Sequence, residues 1–193
     1  KDAVFLLMEL CQGGDLFGRI VEERNLSVDM SRIFARQMLD ALAYCHSMGV
    51  VHRDVKPENF LLETEDADCM MLKLADFGIA TSVRHVADHN PAEVQGSIPY
   101  MAPEMFERHW NSLVKASKGS REKLGACDMW SCGIVIYVML SGDLPYSDSQ
   151  HAICSGTPPD FSAPVWQGVP ADAVDLILKL LQQDPAARPI ARE

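Results

Sequence analysis

The sequence predicts a mainly α fold with short β-hairpins, and three observations predict it. Apolar residues recur at helical spacing between Ser27 and Gly49, and again over Ala171–Gln183. The stretch from Asp128 to Ser141 is apolar nearly all round, the mark of a buried central helix. Strand-like runs are short, as in Asn59–Leu62 and Met71–Leu74.

In chain order, the apolar run Ala3–Glu9 predicts a buried strand closed by Gln12-Gly13-Gly14. A buried strand so close to Lys1 is expected of a piece of a larger domain. Asp15 opens a short helix with Leu16, Phe17, Ile20 and Val21 along one side. Ser27 is the expected N-cap of a long helix, with Asp29 in its first turn and Gly49 as its stop. Ile33, Phe34, Met38, Leu42 and Cys45 mark the inner side of that helix. The acidic turn Glu63–Asp68 joins the two short strands as a solvated hairpin tip. Residues 79–101 are polar and aperiodic, and a loop this long in a compact domain is usually functional. Arg108, Lys115, Lys118, Arg121 and Lys123 make 107–123 a basic, exposed insertion. Gly142 caps the central helix, Thr157–Pro164 is loop, and Asp184-Pro185 stops the last helix.

A length of 193 residues suits one well-buried core better than two domains. The net charge of −10 argues against nucleic acid or an anionic membrane as partner and suits a basic peptide. The six cysteines show no C-x-x-C pairing, which fits reduced thiols in a cytoplasmic protein. The longest apolar run, Gly133–Leu140, is far below the roughly twenty residues of a membrane span. No signal peptide is evident in the sequence.

The chemistry concentrates in His52-Arg53-Asp54-Val55-Lys56-Pro57-Glu58-Asn59, followed after about twenty residues by Asp76-Phe77-Gly78 and then by Ala102-Pro103-Glu104. In this order and spacing the three motifs resemble the signature set of the eukaryotic protein kinases. Phosphoryl transfer requires the metal, the phosphates and the acceptor hydroxyl in line, with negative charge compensated. Asp54 is the candidate base, orienting the hydroxyl and accepting its proton. Lys56 would set a point charge near the transferred phosphate. Asn59 and Asp76 supply the hard oxygen ligands that Mg²⁺ takes beside the phosphates of ATP.

From Phe5 to Arg188 the chain resembles the C-terminal lobe of that family, and the resemblance implies further roles. Met8 would be the gatekeeper, with backbone groups of Glu9 and Cys11 on adenine. Asp15 would meet the ribose or a substrate arginine, and Leu61 would lie beneath the base. Lys56 within Asp54-Val55-Lys56-Pro57 resembles the serine/threonine branch. Gly96-Ser97-Ile98-Pro99-Tyr100 agrees, with Ser97 bridging the aspartate and the lysine. Glu58 would read a basic side chain of a protein substrate near the acceptor. Asp128-Met129-Trp130-Ser131-Cys132-Gly133 and Leu144-Pro145-Tyr146 resemble the calcium/calmodulin-dependent group, including calcium-dependent kinases with their own EF-hands. Glu93 falls where many relatives carry a phosphothreonine, so its carboxylate could hold Arg53 without phosphorylation. Glu104 and Arg188 are expected to form a long-range ion pair, and Asp128 to anchor the backbone of the catalytic loop. His52 and Phe77 are expected to pack rather than react.

The whole of 1–193 is therefore expected to be a kinase-domain piece comprising hinge and C-lobe, with 79–101 as activation segment. The Gly-rich loop, the strand lysine and its helix glutamate do not occur in it, so the isolated chain is expected to be inactive. No EF-hand pattern occurs either, so any calcium-sensing domain is expected outside this chain. The alternative is a pseudokinase or scaffold that binds partners without catalysis.

Overall fold

The computed structural model describes residues 5–66, 70–82, 96–106, 125–146 and 149–192. Glu93 and the basic segment 107–123 lie outside the described residues, as does most of the activation segment.

Asp15 stops the incoming chain because its carboxylate accepts the Gly18 N–H (2.8 Å), capping helix α1, Leu16–Glu23. Leu16 and Ile20 are buried in it, whereas Phe17 and Val21 stay exposed. Ser27 caps the Met30 N–H (3.2 Å) and starts α2, Val28–Ser47. Phe34, Met38 and Leu42 recur on its inner side at 1% exposure or less. Strands β1, Val50–Val51, β2, Phe60–Leu62, β3, Leu72–Leu74, and β4, Thr81–Ser82, form two antiparallel pairs. In β2–β3 the register is Phe60↔Leu74, Leu61↔Lys73 and Leu62↔Leu72. The pairing of β1 with β4 goes beyond the sequence expectation.

Helix α3, Ala126–Ser141, is the axis of the molecule, buried along its length down to Leu140 and packed against both α2 and α5, Ala171–Leu180. Full burial of a side chain such as Ile134 contributes about 1.5–3 kcal/mol. Helix α4, Gln150–Cys154, is capped by Ser149 and inserts Ile153 into the same core. Trp130 stacks on Tyr146 (centroids 5.9 Å), and Tyr137, Phe161 and Trp166 form a second aromatic group.

The expected strand over Ala3–Glu9 is corrected where it is described: Phe5–Leu10 has no strand pairing and its apolar side chains are exposed. Among the described residues no strand lies alongside to supply the ladder a buried strand requires. The backbone joins the β2 hairpin at Gln12, whose N–H donates to Glu63 O (3.1 Å), with Gly13 N–H donating to Leu62 O (3.0 Å). Only glycine fits there, because a Cβ on residue 13 would lie 2.1 Å from Thr64 O. No helix among the described residues is long and apolar enough to cross a membrane.

Candidate active site

The loop between β1 and β2 is built on one buried carboxylate. Asp128, fully buried in the first turn of α3, accepts the backbone N–H of His52 (2.9 Å) and of Arg53 (2.8 Å). It also takes the Nε2 of buried His46 (2.8 Å), a residue sequence reading missed. Arg53 carries a left-handed backbone (φ 71°), so the loop turns sharply where the Asp128 carboxylate grips it.

His52 is inaccessible and does more than pack. Its Nδ1 accepts the Asp54 N–H (3.3 Å), so the ring proton sits on Nε2 and donates to Ala75 O (3.0 Å). Its edge meets the Phe77 ring at 4.8 Å. The imidazole therefore ties the Asp54 loop to the turn that carries Asp76. A second tie is the Ala75 N–H donating to Asn59 O (2.8 Å).

Around Asp54 the expected partners assemble. Oδ2 meets Lys56 Nζ (2.9 Å) and Asn59 Nδ2 (3.2 Å), and Oδ1 accepts the Ser97 N–H (3.1 Å). Lys56 also donates to Ser97 Oγ (2.8 Å), so Ser97 bridges lysine and aspartate as expected. Burial pushes the Asp54 carboxyl up, but Lys56 and Ser97 outweigh it and hold the group below the ordinary aspartate value. Asn59 Nδ2 also donates to Asp54 O (2.7 Å), which orients the amide and leaves its oxygen for another partner. Asp76 is exposed on a left-handed backbone (φ 58°), its Oδ1 accepting the Gly78 N–H (3.1 Å). One amide oxygen and one exposed carboxylate on adjoining segments fit Mg²⁺, which prefers few protein oxygens plus phosphate. Among the described residues no cluster of three or more His, Cys, Asp or Glu side chains competes for such an ion.

The expected nucleotide residues are brought together only in part. Asp15 and Leu61 form an antiparallel bridge, placing the α1 cap beside β2. Asp15 spends one carboxylate oxygen on its cap. Glu9 reaches the same hairpin through Lys73, which also pairs with Glu63 (3.0 Å). Those two hydrogen bonds hold the Lys73 ammonium above the ordinary lysine value. Cys11 is half-buried, whereas Met8 is 72% exposed. Glu58 is exposed in the turn Pro57–Asn59, and its charge adds to burial in raising the Tyr100 phenol. A cavity of about 250 Å³ between α2, α3 and α5 contains none of these residues.

Glu104 and Arg188 pair as expected, both buried, through Nη1–Oε1 (2.6 Å) and Nη2–Oε2 (2.8 Å). Sequence reasoning missed His46 and Gln37. The signal available was a polar side chain recurring on the inner side of an otherwise apolar helix.

The sequence profile described as "Protein kinase domain" matches residues 1–193. Calcium-dependent protein kinase 2 of Oryza sativa subsp. japonica is 34% identical over 197 residues, 100% of this chain and 35% of that protein. Calcium-dependent protein kinase SK5 of Glycine max is 36% identical over 195 residues, 99% of this chain and 35% of that protein. CBL-interacting serine/threonine-protein kinase 3 of Arabidopsis thaliana is 34% identical over 200 residues, 100% of this chain and 41% of that protein. The chain thus spans 35 to 41% of the length of these relatives.

Proposed function

The chain belongs to the protein kinase family, and on that premise we propose that the protein carrying it transfers the γ-phosphate of ATP to a serine or threonine hydroxyl of a protein substrate. The observation that carries this reading is the convergence of Lys56, Asn59 and Ser97 on the Asp54 carboxylate. Such a carboxylate stays ionised at neutral pH, and one of its oxygens can accept a hydroxyl proton as the oxygen attacks. Lys56, 2.9 Å from Asp54, would set its charge near the transferred phosphoryl group. Asn59 and Asp76 would hold Mg²⁺, which supplies charge compensation on the phosphates when bound. Asp128, through the backbone of His52 and Arg53, keeps the loop from drifting.

The described residues correspond, in this proposal, to the C-terminal lobe and hinge. Glu9, Cys11, Asp15 and Leu61 would face the nucleotide, with Met8 at the start of the hinge. Exposed Glu58 and the net charge of −10 support a protein substrate with basic residues near the acceptor. The relatives named as calcium-dependent support a calcium-sensing domain elsewhere in the same protein.

The experiment is a transfer assay with the full-length protein, Mg-ATP and a peptide bearing arginine three residues before a serine. Serine phosphorylation, with little on the tyrosine-substituted peptide, supports the reading. No transfer, alongside tight binding of a protein partner, would replace it with a scaffold.

A further inference from the structure

Strand β3 is the outer member of its hairpin, and it leads directly to Asp76. Its inner edge pairs with β2, as the Glu63 N–H to Met71 O (3.1 Å) and Ala75 N–H to Asn59 O (2.8 Å) bonds show. Backbone groups alternate along a strand, so those of Met70 and Leu72 point to the other, outer edge. No further strand covers that edge among the described residues. One side chain does. Gln37, half-buried on α2, donates through Nε2 to Met70 O (2.5 Å) and accepts the Leu72 N–H through Oε1 (2.8 Å). A donor to one residue and an acceptor from the second residue on is the pattern a neighbouring parallel strand would offer. The amide thus stands in for the N–H and C=O of one residue of a neighbouring strand.

We propose that Gln37 is a positioning residue for Asp76: it fixes the register of β3 against α2, and so the place from which the Asp76 carboxylate is presented. The argument is geometric. Past Leu74 the chain has one residue, Ala75, before Asp76, and Ala75 is held by Asn59 on its N–H and by His52 on its carbonyl. Asp76 then adopts a left-handed backbone that persists only where its surroundings dictate it. With β3 loosened from α2, Asn59 and His52 remain but the strand feeding them can slide. The inference rests on the role proposed above for Asp76.

The test uses the full-length protein with Gln37→Leu and Gln37→Glu. The leucine removes both bonds; the glutamate keeps an acceptor for Leu72 and loses the donor to Met70. Hydrogen exchange is measured without nucleotide or metal. It should be about tenfold faster across 70–76 in Gln37→Leu, less so in Gln37→Glu, with α3 unchanged. In the transfer assay the free Mg²⁺ for half-maximal rate should rise several-fold, with peptide KM unmoved. Leu42→Ala serves as a core variant of comparable thermal destabilisation, and its Mg²⁺ dependence should match wild type. Wild-type exchange across 70–76 in Gln37→Leu, or an equal Mg²⁺ shift in Leu42→Ala, would overturn the proposal. A wild-type protein without transferase activity would instead sink the kinase reading, while the exchange result still decides whether Gln37 clamps the strand.

Discussion

Arg188 grips Glu104 with two N–H groups and spends its other three on backbone carbonyls. Nη1 and Nη2 hold the two carboxylate oxygens, and the remaining donors reach Ala126 O (2.8 Å), Gln182 O (2.8 Å) and Gln183 O (3.3 Å). The guanidinium also lies 5.1 Å from the Trp130 ring centre. One buried cation thereby joins the Ala102-Pro103-Glu104 turn, the start of α3 and the end of α5.

Removing either partner leaves the other buried and uncompensated. Glu104→Gln or Arg188→Ala should therefore lower stability by about 3–5 kcal/mol in urea unfolding. Arg188→Lys should rescue little, since an ammonium has neither the planar fork nor enough donors. A loss below about 1 kcal/mol would mean the pair behaves as a surface contact.

Asp128 holds two backbone N–H groups and the His46 ring with one carboxylate. Asp128→Asn must turn an NH₂ toward at least one of those donors. An unsatisfied buried donor costs about 1–3 kcal/mol, so unfolding should show a loss of that order. Transfer activity should fall further than stability alone explains, because the same bonds position the loop before Asp54.

Gly125 sits against the His46 ring: a Cβ there would lie 2.3 Å from Cε1 and 2.4 Å from Nδ1. Gly125→Ala should be destabilising by about 1–3 kcal/mol through overpacking. Combining it with His46→Ala should cost less than the sum of the two single changes. Strict additivity in that double-mutant cycle would show that the ring and residue 125 do not meet.

The Asp54 carboxyl is held below its ordinary value, so its contribution to stability is present above the unfolded pKa of about 3.9. That contribution is lost as pH falls through the lower folded value. Lys56→Met removes the main lowering partner and leaves burial opposed by Ser97 alone. The Asp54 carboxyl should then titrate higher than in wild type, as followed by carbon-13 NMR. An unmoved titration would show that Lys56 does not set the charge on Asp54.

Most of the helical frame was legible in the sequence because its signals are local. Ser27, Gly49, Asp128–Ser141 and Asp15 act within a turn or two of where they stand. The motif residues Asp54, Lys56, Asn59 and Ser97 were legible because type and spacing together carry their chemistry. The Phe5–Leu10 run misled because apolarity predicts burial, while a strand also needs a neighbour that this chain does not provide among the described residues. His46 and Gln37 escaped for the opposite reason. Each acts through a partner far along the chain, Asp128 or Leu72, and a polar residue on the inner side of an apolar helix does not say which partner it meets.

The most direct measurement is single-turnover transfer from Mg-ATP to a serine peptide by the full-length protein, with Asp54→Asn beside wild type. Loss of a positioned base should slow the chemical step by about 10²–10⁴-fold while nucleotide affinity holds. Asp54→Asn transferring phosphate at the wild-type rate would contradict the account.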